Sequence, residues 1–325
     1  MLAYVSRRLI QSIFVMLTVS LLAFAMFRFV GDPVAVMVGQ ETSVEDQERL
    51  REQLGLNDPV IQQYGRFVTN LLTGEFGFSY RTRQPIGEML LERAPATIEL
   101  GIVSLLISLI VGIPAGIYTA LRNDGFLSQT ILITTLIGIS IPTFVIGIFL
   151  IYLFGVQLGW LPTFGRGEVT EIGWWKSSFF TIKGLEALIL PAITLGIYQL
   201  TLTMRLVRSE MQDVLNTDFI KFAVARGINH RSIHYHHALR NSMVPVITII
   251  GLQFGGVIAF SIVTESVFQW PGMGLLFLES IRYVDIPVMA VYLVIIALVF
   301  VIINLIVDML YFVIDPRVRL QPEAG

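Results

Sequence analysis

The chain has no cysteine, which excludes disulfides, cysteine nucleophiles and thiolate metal sites while leaving the compartment open. It has no Gly-Lys pair, and so no Gly-x-x-x-x-Gly-Lys-Ser/Thr loop to cradle phosphates; ATP hydrolysis by that route is excluded. Charge is scarce as well. Only 14% of the 325 residues are Asp, Glu, Lys or Arg, against 54% hydrophobic. A soluble core of this size does not need long uncharged apolar runs, so the composition points to a polytopic, all-α membrane protein. The net charge of -2 says little about partners, because basic and acidic residues are segregated along the chain. No nucleic-acid partner is expected.

Six spans follow from apolar run length: about Leu9 to Val30, Thr97 to Leu121, Thr130 to Phe154, Ala187 to Leu206, Val244 to Val267 and Val288 to Leu310. An even number puts both termini on one side. Arg7, Arg8, Arg122, Arg317 and Arg319 fall on that side, together with a basic loop between the fourth and fifth spans, and the positive-inside rule makes it cytoplasmic. Ala23-Phe24-Ala25 has the form of a signal-peptidase site, but the apolar run continues to Val30 and is expected to stay as a span. Residues 31–96 then form a long extracytoplasmic loop with ten acids and six Arg, and the whole chain, 1–325, reads as one transmembrane domain.

Outside the spans, Ser43-Val44-Glu45-Asp46 has capping-box spacing and Asn57-Asp58-Pro59 turns the chain. Tyr64, Phe67, Leu71 and Leu72 have the spacing of an interfacial helix, followed by a turn at Gly74-Glu75-Phe76-Gly77. Ser104, Ser108, Gly112, Gly116 and Ala120 recur every four residues in the second span and Gly251, Gly255 and Ala259 in the fifth, stripes along which helices approach closely. Pro114, Pro142 and Pro191 are expected to bend or interrupt their spans. Trp160, Trp174, Trp175 and Trp270 read as anchors at the lipid headgroups. Among intramembrane ionisable residues, Asp308, four residues after Asn304, is the one candidate.

The most informative segment is the basic loop, residues 207–243. It holds all four histidines, and from Arg205 to Arg240 six Lys/Arg face three acids. Gly227 can take the left-handed conformation at which one short helix ends and another begins. His230 and His234 are four apart, but no carboxylate sits at ligand spacing beside them, and a solvated or partner-facing role is expected rather than a metal site. The chain therefore carries no catalytic residue and no metal ligand that can be named.

The loop resembles the signature segment of binding-protein-dependent ABC importer permeases, in the dipeptide and oligopeptide subfamily. Ala223-Val224-Ala225-Arg226-Gly227 and His236-His237-Ala238-Leu239-Arg240-Asn241-Ser242 carry the likeness; Lys221 stands where the general family has Glu and Arg240 where it has Pro. Leu54 to Pro59, Gly74 to Ser79, Leu158 to Pro162, Trp270 to Gly274, Asp285 to Val288, and Asn304 to Asp308 with Asp315-Pro316-Arg317 resemble the same subfamily in order. The first-permease type is the closer match.

The resemblance implies a type I importer permease, not an enzyme, in the cytoplasmic (inner) membrane of a bacterium or archaeon. Its implied partners are a second homologous permease, two cytoplasmic ATP-binding subunits that hold ATP and Mg, an extracytoplasmic substrate-binding protein, and membrane lipid. Dipeptides or oligopeptides are the implied cargo, with nickel, glutathione or oligosaccharide as alternatives. The loop would engage an ATPase through Lys221, Phe222, Ala223, Ala225, Arg226, Gly227, Arg231, His237, Leu239 and Arg240; on this resemblance Phe222, Ala223, Ala225, Gly227 and Leu239 supply packing and the turn, and Lys221, Arg226, Arg231 and Arg240 polar anchoring. An ion-coupled secondary transporter is a competing class, but half-to-half similarity is not evident. A sensor or structural membrane subunit would share the spans without needing such a loop.

Overall fold

The computed structural model describes residues 2–29, 34, 43–53 and 55–314. Asp315-Pro316-Arg317 lies outside them. In chain order the helices are α1 (Leu2–Phe29), α2 (Val44–Gln53), α3 (Val60–Thr73), α4 (Ile86–Leu121), α5 (Phe126–Ser140), α6 (Thr143–Gln157, ending in a π-helical turn), α7 (Ile182–Leu215), α8 (Asp218–Ala225), α9 (His230–Ala259), α10 (Ser261–Val267), α11 (Met273–Arg282) and α12 (Ile286–Ile314). Strands β1 (Thr170–Ile172) and β2 (Trp175–Ser177) pair as a small antiparallel hairpin with Ile172 opposite Trp175.

Five of the helices, α1, α4, α7, α9 and α12, are long and apolar enough to cross a membrane, and α5 and α6, bent by 106° where they meet, count as a sixth if the pair is one span. The bend is at Pro142. Ile141 before it is extended at φ -92 and ψ 130, as the residue preceding a proline prefers, and Pro142 itself caps α6. Pro114 and Pro191 do not interrupt their spans: α4 and α7 run through them. A membrane helix tolerates an interior proline because neighbouring groups satisfy the freed carbonyl. The second span begins at Ile86 rather than near Thr97, since residues 86–96 are helical but too polar to be seen by apolar run length. In the fifth span α9 ends at Ala259, and Ser261–Val267, read as its continuation, is a separate helix after Phe260.

The chain packs as two compact units. In the first, built from residues 1–94 and 275–301, Phe24 of α1 meets Tyr64 at 5.4 Å and Phe67 at 5.8 Å between ring centroids, and the Ser20 and Tyr64 hydroxyls are 2.8 Å apart. Tyr64, Phe67 and Leu71 thus face α1, while Ile61 and Leu72 are exposed. Ser43 caps α2 through a hydrogen bond from Asp46 N of 3.2 Å. Gly74 ends α3 at φ +79. The chain beyond it brings Ser79 and the Tyr80 amide onto the Asp285 carboxylate, with Tyr80 N donating at 3.1 Å. Two segments some two hundred residues apart are joined by one buried acid.

The second unit, residues 95–274 and 302–325, is organised around α7. The small residues of α4 face it. A Cβ on Gly112 would stand 3.0 Å from the Leu200 carbonyl oxygen, and one on Gly116 2.7 Å from that of Met204. Gly196 returns the contact against Ser104 O at 2.8 Å. The Ser104 and Ser108 hydroxyls are turned back onto Leu100 O and Leu105 O of their own helix, so the seam is tight and internally satisfied. In the fifth span, Gly251 packs against Val307. Gly116→Leu forces backbones apart or side chains off rotamer and is expected to cost about 1–3 kcal/mol, read as a lower unfolding temperature of the detergent-solubilised protein; Gly65→Leu, where a Cβ meets nothing within 4 Å, should leave it unchanged.

Candidate coupling loop and buried carboxylates

Helix α7 ends at Leu215, and Thr217 starts the short helix α8. The end of α8 follows from its hydrogen bonds: Ile228 N donates to Ala223 O at 3.2 Å and Gly227 N to Val224 O at 2.9 Å. These two bonds are the Schellman closure, which needs a left-handed residue, and Gly227 supplies it at φ +76. Asn229 then caps the next helix by accepting from Arg231 N at 3.0 Å. The second half of the loop is not a separate short helix. It is the first two turns of α9, running through a π-helical stretch, Ile233–Ala238, directly into the fifth span.

The ten residues assigned to the loop divide by exposure. Ala223 is buried and Leu239 half-buried against a core formed by Ala120, Val207, Met211, Ile220, Ile233 and Ala238, which ties the loop to α4, α7 and α9. Lys221, Phe222, Ala225, Arg226, Arg231 and Arg240 are exposed. Lys221 Nζ reaches Asp218 at 2.9 Å, and the Arg226 guanidinium lies 5.5 Å from the centre of the Phe222 ring. His237 is half-buried; its carbonyl accepts from Asn241 Nδ2 at 2.7 Å and its ring stands edge-on to His236. His230 and His234 have ring centroids 6.0 Å apart; among the described residues no three His, Asp or Glu are grouped to hold a metal.

The sequence reading named Ala223 and Leu239 of the inward side and Phe222 of the outward side but missed their neighbours. Ile220 with Ala223, three apart on α8, forms the inward side, and Ile233 with Ala238 completes it; helical spacing alone would have found the first pair. Outward, Phe219, Phe222 and Val224 of α8, with Ile228 and Tyr235, leave apolar surface exposed among the cations. An exposed apolar patch rimmed by charge is the form of a protein interaction surface.

Besides Asp285, three further buried ionisable groups were missed. Glu99, fully buried, accepts from Arg166 Nη2 at 2.6 Å, Ser178 N at 3.0 Å and Trp175 Nε1 at 3.0 Å. Arg166 is buried too, and its remaining donors reach Ser178 Oγ at 2.8 Å and Lys176 O at 2.6 Å. The pair thereby pins the β1–β2 hairpin onto α4. Glu265, also fully buried, accepts from Thr97 Oγ1 at 2.7 Å and Ser261 Oγ at 2.9 Å. The Trp270 to Gly274 segment wraps it: Trp270 N donates to Glu265 O at 2.8 Å and Met273 N to Thr97 Oγ1 at 2.8 Å. A Cβ on Gly272 would collide with the Glu265 carboxylate, and one on Gly274 would stand 2.9 Å from it. Glycine is needed there for the backbone to approach a charged group.

These contacts change two readings of the sequence. Trp270 is no headgroup anchor: it is fully buried and its Nε1 donates to Ala96 O at 2.9 Å. Trp175 is spent on Glu99, leaving Trp160 and Trp174 as the exposed indoles. Asp308 is buried, and so are Glu99 and Glu265. Glu99 lies just inside the start of the span read as Thr97 to Leu121 and Arg166 lies in a loop, so their pairing is not legible until the hairpin folds between them.

Two outcomes check this geometry. Arg166→Met leaves an uncompensated buried carboxylate and should cost about 3–5 kcal/mol, much of it recovered in Arg166→Met with Glu99→Met, as read from thermal unfolding of all three variants. At Gly227, where nothing lies within 4 Å of a Cβ, the cost of substitution is conformational alone. Gly227→Asn should be well tolerated and Gly227→Val should lose about 1–2 kcal/mol locally, visible as faster amide exchange across residues 223–228.

Comparison with known proteins gives the geometry its context. Residues 112–320 match the family described as binding-protein-dependent transport system inner membrane component, and residues 1–101 match its N-terminal membrane component. The dipeptide transport system permease protein DppB of Alkalihalophilus pseudofirmus is 36% identical over 98% of this chain and 100% of its own length. The oligopeptide transport system permease protein AppB of Bacillus subtilis is 38% identical over 98% and 100%, and the glutathione transport system permease protein GsiC of Escherichia coli K12 is 37% identical over 98% and 99%. Among solved structures, the inward-facing MetNI methionine ABC transporter aligns with a TM-score of 0.57 at 17% identity, covering 71% of this chain and 99% of that one. The MetNI match establishes the fold. With both family segments present and full-length relatives above one-third identity, the chain belongs to the inner-membrane permease components of binding-protein-dependent transport systems, a multi-pass subunit of an ABC importer whose ATPase is a separate chain.

Proposed function

We propose that this permease imports peptides through the cytoplasmic membrane of a bacterium or archaeon and that residues 207–243 are its transmission element. The whole chain acts as one permease domain with both termini and this loop in the cytoplasm and residues 31–96 outside. It pairs with a second, homologous permease and with two ATP-binding subunits that hold ATP and Mg, and it receives substrate from an extracytoplasmic binding protein. The peptide cargo is supported by the relatives, which are named for dipeptide, oligopeptide and glutathione transport.

One observation carries the coupling role: α8 is bolted to the spans by Ile220 and Ala223 on one side, leaves Phe222 exposed on the other, and exposes Phe219 and Val224 at the two flanks. A short helix held this way can sit in a groove of an ATPase and move with it. Because its inner face packs on α7 and α9, a displacement on ATPase closure becomes rigid-body motion of two spans rather than loop flexing. ATP binding would then bias the cavity outward and hydrolysis would return it inward, a shift between two packed states. Ala223, Gly227 and Leu239 preserve the loop's shape; Phe222, Arg226, Arg231, Arg240 and Lys221 meet the partner, with Ala225 keeping the outward face low and His237 bracing the start of α9.

Mass spectrometry of the complex purified with this chain in mild detergent tests the assembly, and reconstituted uptake of labelled dipeptide, longer peptide and glutathione tests the cargo. Recovery of a second permease and two ATP-binding subunits is the expected result; a homo-oligomer without a nucleotide-binding partner would defeat it. Gly227→Val, and Arg226→Glu combined with Arg231→Glu, should abolish uptake while ATP hydrolysis persists and the binding protein keeps its affinity for peptide. Normal uptake in both variants would remove the loop from the mechanism.

A further inference from the structure

A polar cavity of about 230 Å³ in the first unit has no part in the coupling mechanism. Two helices build it in the same way. On α4, Met89 and Arg93 are four residues apart and share a face, and on α11 Leu276 and Glu279 are three apart and share one. Each helix thus sets one apolar and one charged side chain into the cavity wall, a cation from α4 and a carboxylate from α11. The third wall is the turn after Gly77, where Ser79 N donates to Gln84 O and Arg83 N to Ser79 O, both at 3.0 Å. Arg81 lines the cavity from this turn. Asp285, which also lines it, is spent on holding Ser79 and the Tyr80 amide.

Two of the charges are unspent. Arg93 and Glu279 are half-buried, and among the described residues the charged end of neither meets a hydrogen-bond or ion-pair partner, each other included. The Arg81 guanidinium lies 3.5 Å from the centre of the Tyr283 ring, a stacking that orients the group and leaves its in-plane donors free for a further bond. Partly desolvated charges gain more from a charge-assisted bond than exposed ones do. The backbone beside the cavity is strained at two places: Arg83, between the lining residues Thr82 and Gln84, and Val284, next to Asp285, hold φ of +61 and +55. A β-branched residue in the left-handed region is a costly conformation of the kind that clusters at ligand clamps.

We propose that this cavity receives a short zwitterionic peptide by its ends: the α-carboxylate accepts from Arg93 and Arg81, the α-ammonium donates to Glu279, and the side chains lie against Met89 and Leu276. The proposal rests on the peptide-import reading and adds a cargo subsite on residues which that reading puts outside the membrane. A lone anion would leave Glu279 without a partner and a lone cation would leave Arg93 so; a molecule carrying both charges satisfies both walls. The volume falls below the about 300–1,000 Å³ of sites for drug-sized ligands, which suits two residues better than a long peptide. The flexible thioether of Met89 accommodates varied side chains. Recognition is therefore by the peptide's ends rather than by its sequence.

Equilibrium dialysis of labelled dialanine against the permease–ATPase complex in nanodiscs, without nucleotide and without binding protein, tests the site. Dialanine acetylated at its amine or amidated at its carboxyl should bind the wild type about tenfold more weakly than the free peptide, and Arg93→Gln and Glu279→Gln should each lose about tenfold for the free peptide. Glu279→Gln should lose nothing further for the acetylated form, nor Arg93→Gln for the amidated form, because the matching charge is already gone. Arg282→Gln, an exposed cation of α11 outside the cavity, should match the wild type. Blocked peptides that bind the wild type as well as free dialanine, equal binding by all variants, or alanine binding as tightly as dialanine would each overturn the proposal. Uptake with added binding protein is read separately. Intact peptide uptake without end-dependent binding overturns the subsite and leaves the import reading standing; end-dependent binding without uptake of any peptide supports the subsite and overturns the import reading.

Discussion

The loop owes its geometry to a backbone contact far from it in sequence. Gly116 of α4 meets a carbonyl of α7 closer than a Cβ permits, Gly196 does the same from the other helix, and Gly112 stands at the edge of that limit. In a bilayer no hydrophobic force drives helices together, so association depends on van der Waals contact and on polar groups that find partners. Small residues make that contact close. Once α4 and α7 are seated, Ala120, Val207 and Met211 at their ends form the floor on which Ile220, Ala223, Ile233 and Ala238 rest. A wider seam would take that floor away.

Polar anchoring complements this seam. Glu99, Arg166 and Glu265 are buried where a lone charge would be prohibitive, and each is surrounded by donors or acceptors from distant segments. Such pairs contribute little net stability against an apolar alternative, but they penalise any arrangement in which a partner is missing. They therefore fix position: Glu99 holds the β1–β2 hairpin and Glu265 holds the Trp270 to Gly274 turn. In the first unit Asp285 does the same for the chain after α3. Three acids specify three loop placements, leaving the loop after α7 to make its own through apolar packing.

Much of this was legible beforehand where a single helix or turn decided the outcome. The spans, the small-residue stripes, the cap at Ser43, the turn at Gly74 and the left-handed Gly227 all rest on local rules of periodicity, chirality and backbone hydrogen bonding. Prolines were harder. Pro142 breaks its span and Pro114 and Pro191 do not, because whether a freed carbonyl is satisfied depends on neighbours that local sequence does not name. The start of α4 at Ile86 and the continuation of α9 back to His230 were hidden for a related reason: polar helix is invisible to a search for apolar runs.

By itself the sequence determined the membrane class, the approximate spans, the family likeness and the basic loop with its turn, since each depends on composition or on residues a few positions apart. Only the tertiary structure decided which face of α8 points inward, that Trp270 is buried under Ala96, that Glu99 and Arg166 form a pair, and that Gly272 and Gly274 make room for Glu265. Each of these joins residues 7 to 174 positions apart, and desolvation makes the difference: a charged or indole side chain is a surface feature until a distant segment supplies the hydrogen bonds that let it leave water.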